Sequence, residues 1–517
     1  MTGGDAGATD AASVARRALT SALLVGGTLT AIFFHVRIYS DFLIDDAFIF
    51  LSFARTLHVD GTWGFYPGLE ANTATSPLTV LLMAAAMSLA EGATAAVLLD
   101  TVAQAASAFF LVGLSRRLTG SILAGVLAAA AMLVNPLLIS SFGMETPLFG
   151  ALYFASLYAA SHGRWATSAA ASGLLTLARP DGGLLFVLFV LQIPTWRERL
   201  RCGGIFVAVV APWHLFSWVQ LGSFLPESFF LKTGGAWGPW TFANGPGVYF
   251  DRMPLESALR LIFAPLLLAA QSLRRLPHRR VVVTASLFAT GHAAVYATLG
   301  VPPYHWYYAP QIYSMLLVGA LGLAQLRPRN YGSFQGRLWL IAVGVALLAP
   351  GLGLLEIHRR AEPALREMPL HSNWTTAETY REIAEWLDAR SDGQALGLVT
   401  GEIGALSFYT DGPILDYFSD RRMTAPLLPS VGDSPEWQRA LLLINFAFRS
   451  DDNRYPMIRH FLVGDAADPS AAQRGRLIHR WQLGGRWEKE AWLSLYAVTA
   501  DVPGWAETPS PEHEIRP

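Results

Sequence analysis

The sequence predicts a polytopic α-helical membrane domain followed by a soluble α/β domain. Three observations carry this reading. Of the 517 residues, 52% are hydrophobic and only 15% are charged, against about a quarter charged in an ordinary soluble chain. Apolar runs recur from residue 18 to about residue 355 and then stop. From Glu356 onward, short apolar stretches alternate with polar turns and helix-start signals, the pattern of a soluble domain.

Composition also excludes several classes. The net charge of −1 and the lack of a basic cluster give no reason to expect a nucleic-acid partner. The single cysteine, Cys202, rules out an intrachain disulfide. There is no Walker loop, dinucleotide fingerprint, HExxH or Cys-based metal pattern, which argues against an ATP-driven pump. No internal repeat is evident.

Residues 1–17 read as a polar cytoplasmic tail. Arg16 and Arg17 precede the first span, Ala18–Val36, and hold its start inside by the positive-inside rule. That span lacks a small-residue cleavage site, so it is expected to be retained. The loop 37–76 then lies outside. It contains Asp41-Phe-Leu-Ile-Asp45-Asp46, an amphipathic run Ala47–Leu57, and Trp63-Gly-Phe-Tyr-Pro67-Gly68, which suits a segment at the membrane interface.

Thr75-Ser76-Pro77 opens two apolar runs, 78–90 and 95–114, split by Glu91-Gly92. Further runs cover 121–139, 147–160, 165–178, 183–195, 203–221, 257–272, 281–299, 309–326 and 338–355. A full span needs about 20 residues, so several of these are expected to be broken or tilted. Their loops alternate in character. Arg116/Arg117, His162/Arg164, Arg197/Arg199/Arg201, Arg274/Arg275/Arg279/Arg280 and Arg327/Arg329 form a basic set. The other set carries acids, aromatics, Gly and Pro. Placing the basic set in the cytoplasm requires one net crossing over 78–114, hence about 11 crossings and an external C-terminus. The membrane domain is thus 18–355, the extracytoplasmic α/β domain 356–505, and a Pro/Glu-rich tail 506–517.

In the α/β domain, Thr375-Thr-Ala-Glu378 resembles a capping box opening a helix through Asp388. Leu396–Thr400 reads as a strand, Gly401–Tyr409 as a turn and short helix, and Pro413–Phe418 as another strand. Ile458–Val463, and a pair near Trp487 and Leu493–Val498, complete the expected sheet.

The candidate site residues all fall in the second set of loops. Asp45 and Asp46 are two adjacent carboxylates at a membrane edge, where charge needs a reason. A carboxylate there can take the proton of an attacking hydroxyl. Capping a helix start is the bland alternative, for which one Asp suffices. Glu145 lies in Gly143-Met-Glu-Thr-Pro147, and Arg179 and Asp181 in Ala178-Arg-Pro-Asp-Gly182. Arg179 can hold a phosphate or pair with Asp181. Lys232 is one of two lysines in the chain, with Lys489. A compact ammonium suits a phosphate leaving group, and a snorkelling anchor is the alternative. Tyr304 and His305 begin Tyr304-His305-Trp306-Tyr307-Tyr308, which reads as a pocket wall or an aromatic belt. A divalent metal held by Asp45, Asp46, Glu145 and His305 is conceivable, although no ligand spacing supports it.

The order of these motifs, from the Asp pair and Thr-Ser-Pro to Tyr-His-Trp-Tyr-Tyr, resembles the GT-C superfamily of polyprenyl-phosphate-sugar-dependent glycosyltransferases. Ile44-Asp-Asp-Ala-Phe-Ile-Phe50 through Thr75-Ser-Pro77 is most similar to the terminal β-arabinofuranosyltransferases of mycobacterial arabinan. The resemblance implies a polyprenyl-phosphate-linked sugar donor and inverting transfer, with arabinofuranose as the expected sugar. It implies an envelope polysaccharide acceptor and a site on the outer face of the plasma membrane. It maps the base onto Asp45 or Asp46, with Asp45 favoured. Lys232, Arg179 and His305 are expected to stabilise the leaving phosphate, and the α/β domain to orient the acceptor. The alternatives are transfer of mannose, another hexose or aminoarabinose to protein or lipid, a flippase or transporter, and a glycan-binding protein without activity. Charges gathered at one set of helix ends disfavour a transporter.

Overall fold

The computed structural model describes residues 26–498 apart from 234–237, 256–257, 259–278, 327, 329, 331, 361–367, 371–372, 425–427, 430–431, 433–435, 450–457, 465–474 and 485–490. The expected tails 1–17 and 506–517, the run 257–272 and the strand near Trp487 lie outside or almost wholly outside these residues. The first helix, α1, is described over residues 26–37.

The next helix, α2 (Asp45–Asp60), carries both aspartates in its first turn and ends on Gly61, whose φ of 69° is left-handed. It is not amphipathic. Ala47, Phe48, Phe50, Leu51, Phe53 and Ala54 are all buried, so the helix is enclosed on most sides. The following Trp63, Phe65 and Tyr66 are buried too, rather than lying at a lipid interface. Phe53 packs on Phe65 and Trp63, and the Tyr66 hydroxyl accepts the Ile414 N–H at 2.8 Å.

Helix α3 (Pro77–Ala86) starts on Pro77 and runs for 10 residues, about 15 Å, or half the hydrocarbon thickness. A turn through Gly92, at φ 53°, leads into α4 (Ala93–Thr119). Then come α5 (Ile122–Leu133), α6 (Pro136–Ile139), α7 (Thr146–Ser161), α8 (Trp165–Ala178), α9 (Gly183–Val190), α10 (Trp196–Gln220), α11 (Glu227–Thr233) and α12 (Gly245–Arg252). Helices α13 (Arg279–Leu299), α14 (Ala309–Leu326) and α15 (Phe334–Arg360) complete the bundle. Among the described residues, four helices are long and apolar enough to cross a membrane: Ala93–Thr119, Trp196–Gln220, Arg280–Leu299 and His305–Leu326. Packing runs α5 to α4 to α7 to α8 to α10, with α14 against α4 and α5.

The C-terminal unit begins with α16 (Ala377–Ser391). Its cap is Thr376, whose side chain accepts the Thr379 N–H, one residue later than the capping box the sequence suggests. The rest comprises β1 (Leu396–Thr400), α17 (Ile403–Tyr409), β2 (Ile414–Leu415), α18 (Arg421–Thr424), α19 (Glu436–Asn445), β3 (His460–Gly464), β4 (Gly475–Leu483) and β5 (Ala491–Val498). The sheet order is β2-β1-β3-β5-β4. Strand β1 is parallel to β2 and β3, while β5 is antiparallel to β3 and β4.

This unit docks on α2 through close backbone approach. A Cβ on Gly404 would stand 2.1 Å from the Asp45 carbonyl oxygen. Asn373 bridges the junction, its Oδ1 accepting Asp45 N–H at 2.7 Å and its Nδ2 donating to Leu43 O at 2.9 Å. Arg55 donates to Ser407 O and Phe408 O at 3.1 and 2.6 Å. Gly404→Ala therefore has to push two backbones apart. It is expected to lower the melting temperature in detergent by about 1–3 °C, consistent with a 1–3 kcal/mol overpacking penalty in a chain of this length. An unchanged melting temperature would contradict the close approach.

Candidate functional site

A cavity of about 230 Å³ opens beside the first turn of α2. Its charged groups are Asp46, Glu145, Arg179, Asp181 and Lys232, five of the eight residues expected from the sequence. Phe50, Phe229, Val295 and Leu299 supply apolar wall, and Trp306 and Tyr307 aromatic wall. Each charged residue sits at a helix end: Asp46 in the first turn of α2, Glu145 at the cap of α7, Arg179 after α8, Lys232 in the last turn of α11. Helix ends gather charge because unpaired backbone groups and the dipole favour it there.

The two aspartates part company. Asp45 Oδ1 accepts the Ala405 N–H at 2.7 Å, so its carboxylate is turned to the start of α17. Asp46 lines the cavity, and Asp45 does not. The Asp45 carboxyl is pushed up to about 7, because burial disfavours its charge, the Ala405 N–H only partly offsets this, and Asp46 repels it. Glu227 and Asp416 are raised by burial in the same way, to about 7 and about 6. An acid raised on folding binds protons that the unfolded chain has released, so stability falls as pH climbs from about 4 to about 7. The melting temperature should thus be lower at pH 8 than at pH 5. Asp45→Asn should flatten part of that slope, and an unaltered slope would remove Asp45 from its origin.

Lys232 lies over two rings, its Nζ 5.7 Å from the Tyr304 centroid and 6.0 Å from that of Phe418. Burial works against its ammonium, yet the neighbouring oxygens of Tyr307 and Asp46 outweigh this and hold its pKa above the ordinary lysine value. Tyr304 therefore meets the site through Lys232 and also stacks on Trp306, with centroids 4.5 Å apart.

Arg179 and Asp181 form a buried network. Arg179 Nη2 donates to Asp181 Oδ2 at 2.7 Å, and Nη1 donates to Trp306 O at 2.7 Å. His292 Nε2 and the Tyr296 hydroxyl both donate to the same Asp181 oxygen, at 2.8 and 3.0 Å. Burial raises the Asp181 carboxyl, but Arg179 and His292 more than reverse this and hold it far below the usual carboxylate range. Arg179 also stands 3.5 Å from Glu145 Oε1. Its fork is thus engaged within the protein, and it contributes a fixed positive charge to the wall. Burial pushes the Glu145 carboxyl up against the pull of Arg179 and Lys232. Its other oxygen, Oε2, is buried with no hydrogen-bond partner among the described residues.

His305 is elsewhere. Its Nε2 donates to Ser140 O at 2.9 Å, and it does not line the cavity. Among the described residues no group of three His, Cys, Asp or Glu could hold a metal ion. Of the four residues weighed as metal ligands, Asp46 and Glu145 line the cavity, while Asp45 bonds Ala405 N–H and His305 bonds Ser140 O.

Sequence reasoning missed Asp100, His292 and Tyr296. An acid or His inside an apolar span is itself a signal of function. Asp100 is buried in α4, and its Oδ2 accepts the Gly143 N–H at 2.6 Å. Gly143 has φ 78° and packs on Ala47 and Leu43 of the α2 region. Asp100 therefore pins the turn that delivers Glu145. Asp100→Leu should lower the melting temperature in detergent through the lost hydrogen bond and the misplaced turn. Asp100→Asn, which keeps an acceptor, should recover most of the loss.

Solved structures share this architecture. ArnT from Cupriavidus metallidurans in the apo state matches with a TM-score of 0.58 at 14% identity, over 93% of this chain and 98% of that one. The same protein bound to undecaprenyl phosphate matches at 0.57 and 14%, over 92% and 98%. The arabinofuranosyltransferase AftD from Mycobacteria matches at 0.50 and 15%, over 92% of this chain but 42% of that one. No family model and no curated protein matches the sequence. At such identities the likeness is one of fold: the chain shares the helical architecture of these proteins and carries a small C-terminal sheet domain.

Proposed function

We propose that this protein is an inverting glycosyltransferase of the GT-C type. It moves a sugar, arabinofuranose on the sequence resemblance, from a polyprenyl-phosphate donor to a cell-envelope glycan. The loop charges favour the outer face of the plasma membrane for the site. One observation carries the reading: a single cavity joins a carboxylate, Asp46, to an ammonium, Lys232, with apolar wall from α13 beside them. A sugar linked to a lipid phosphate needs this combination.

The Asp46 carboxylate takes the proton of an acceptor hydroxyl as its oxygen bonds to the anomeric carbon. The bond from that carbon to the phosphate oxygen breaks, and the lipid phosphate leaves with the electron pair. Lys232 neutralises the charge that develops on it, and Arg179 adds positive field from the wall. Glu145 Oε2 offers an acceptor for a donor-sugar hydroxyl.

The test is transfer by the purified protein from decaprenyl- and undecaprenyl-phosphate sugars, with arabinofuranose, aminoarabinose and mannose donors in parallel. Product of inverted anomeric configuration from the arabinofuranose donor supports the reading. Transfer only from another donor replaces the sugar and leaves the mechanism. No transfer from any of them overturns it.

A further inference from the structure

Helix α19 (Glu436–Asn445), in the α/β domain, is apolar on the side it turns outward. Leu441, Leu443 and Ile444 are 55, 60 and 59% exposed, and Phe448, in the turn that follows, is 53% exposed. Its inward side holds Leu442 and Asn445, which are buried. Covering a large apolar side chain is worth about 1.5–3 kcal/mol. A cluster of four left open therefore marks a surface that meets something other than water.

The place of α19 in the fold says what meets it. Helix α10 carries Arg197, Arg199 and Arg201 at its start, and only 11% of its apolar stretch is buried in the protein. Counted from Arg201, a hydrocarbon layer about 30 Å thick is crossed in about 20 residues. That count ends at Leu221, the cap of α10. Trp218 thus stands at the far edge of the layer, the depth at which Trp gathers. Its Nε1 donates to Ile444 O at 2.8 Å, and its ring meets Phe448 edge-on, with centroids 5.1 Å apart. Asn445 O accepts the Phe224 N–H at 3.1 Å. Near the same end of α10, Leu215, Phe216 and Val219 are exposed as well. The outward apolar residues of α10 and α19 therefore lie at one depth, joined through Trp218.

We propose that α19 and the turn after it are embedded in the bilayer interface, with Leu441, Ile444 and Phe448 among the lipid chains of the leaflet beside the Asp46–Lys232 cavity. A helix lying in the interface plane sinks its apolar face about 5–10 Å, which suits a helix bonded to the last turn of a span. Short links carry this seat to the cavity. Asn445 Oδ1 accepts the Leu225 N–H at 2.7 Å, and Leu225 lines the cavity. Arg449 Nη1 pairs with Glu227 Oε1 at 3.1 Å, in the first turn of the helix that carries Lys232 in its last. The bilayer thereby holds the α/β domain and the Lys232 wall at a set height. The inference concerns membrane seating and stands whether or not the cavity transfers sugar.

The experiment uses full-length protein in nanodiscs of phosphatidylcholine and phosphatidylglycerol. Cys202 is the one cysteine of the chain, so Cys202→Ala supplies a cysteine-free background. Nitroxide labels are placed on Ile444→Cys and Phe448→Cys, two independent sites. Leu477→Cys is the control, since Leu477 is 49% exposed on the edge strand β4. Relaxation of each label by oxygen, which concentrates in lipid, is compared with relaxation by a water-soluble nickel chelate. Oxygen is expected to exceed nickel several-fold at 444 and 448, and nickel to exceed oxygen at 477. Nickel dominating at 444 and 448 as it does at 477 would overturn the proposal. Labels at 444 and 448 shielded from both relaxants would overturn it too, since a second copy of the chain would then cover this face.

Discussion

Asp46→Asn is expected to lower kcat by about 10²–10⁴-fold, the range general-base catalysis contributes, with donor-lipid binding retained. Asp45→Asn is expected to cost far less, about tenfold, because an amide oxygen can still accept the Ala405 N–H that Asp45 Oδ1 accepts at 2.7 Å. The contrast between the two variants is the informative quantity. Neighbouring carboxylates with one shared task would give similar losses. A dead Asp45→Asn enzyme beside an active Asp46→Asn enzyme would reverse the assignment and restore Asp45, which the sequence alone favours. Single-turnover measurements with preloaded donor separate the chemical step from binding.

Lys232→Met is expected to be the second most damaging change, at about 10²–10³-fold in kcat, since it removes a donor aimed at developing charge in a buried site. Donor KM should rise as well, because the ammonium also meets the ground-state phosphate. Lys232→Arg should recover part of the loss. It keeps the charge but puts a planar fork where the Nζ lies between the Tyr304 and Phe418 rings, 5.7 and 6.0 Å from their centroids. A Lys232→Met enzyme within threefold of wild type would mean that the leaving phosphate is stabilised elsewhere.

Much of the site is legible in the sequence because charge in an apolar chain is conspicuous. Asp46, Glu145, Arg179, Asp181 and Lys232 each break a run of apolar residues on one set of helix ends, and all five meet in one cavity. His305 has the same sequence credentials and is absent from that cavity. Its ring bonds Ser140 O, 165 residues away, and no local pattern announces such a partner. Trp63, Phe65 and Tyr66 look like an interfacial belt until Trp63 and Phe65 pack on Phe53, Trp63 on Trp213, and Ile414 bonds the Tyr66 hydroxyl. Asp100 is legible in the same way, an acid standing alone in an apolar helix, and it accepts the Gly143 N–H.

By itself the sequence determined the class of the protein: a helical membrane bundle, a following α/β unit, and one set of helix ends whose charged residues meet in a cavity. Periodicity, hydropathy and loop charge are local properties, so they survive without a fold. The choice within the Asp pair belongs to the tertiary structure. Successive side chains on a helix point about 100° apart, so Asp45 and Asp46 had to face different neighbours. Which one faces the cavity is decided by Ala405, 360 residues downstream, whose N–H takes Asp45 and leaves Asp46 beside Lys232 in the cavity.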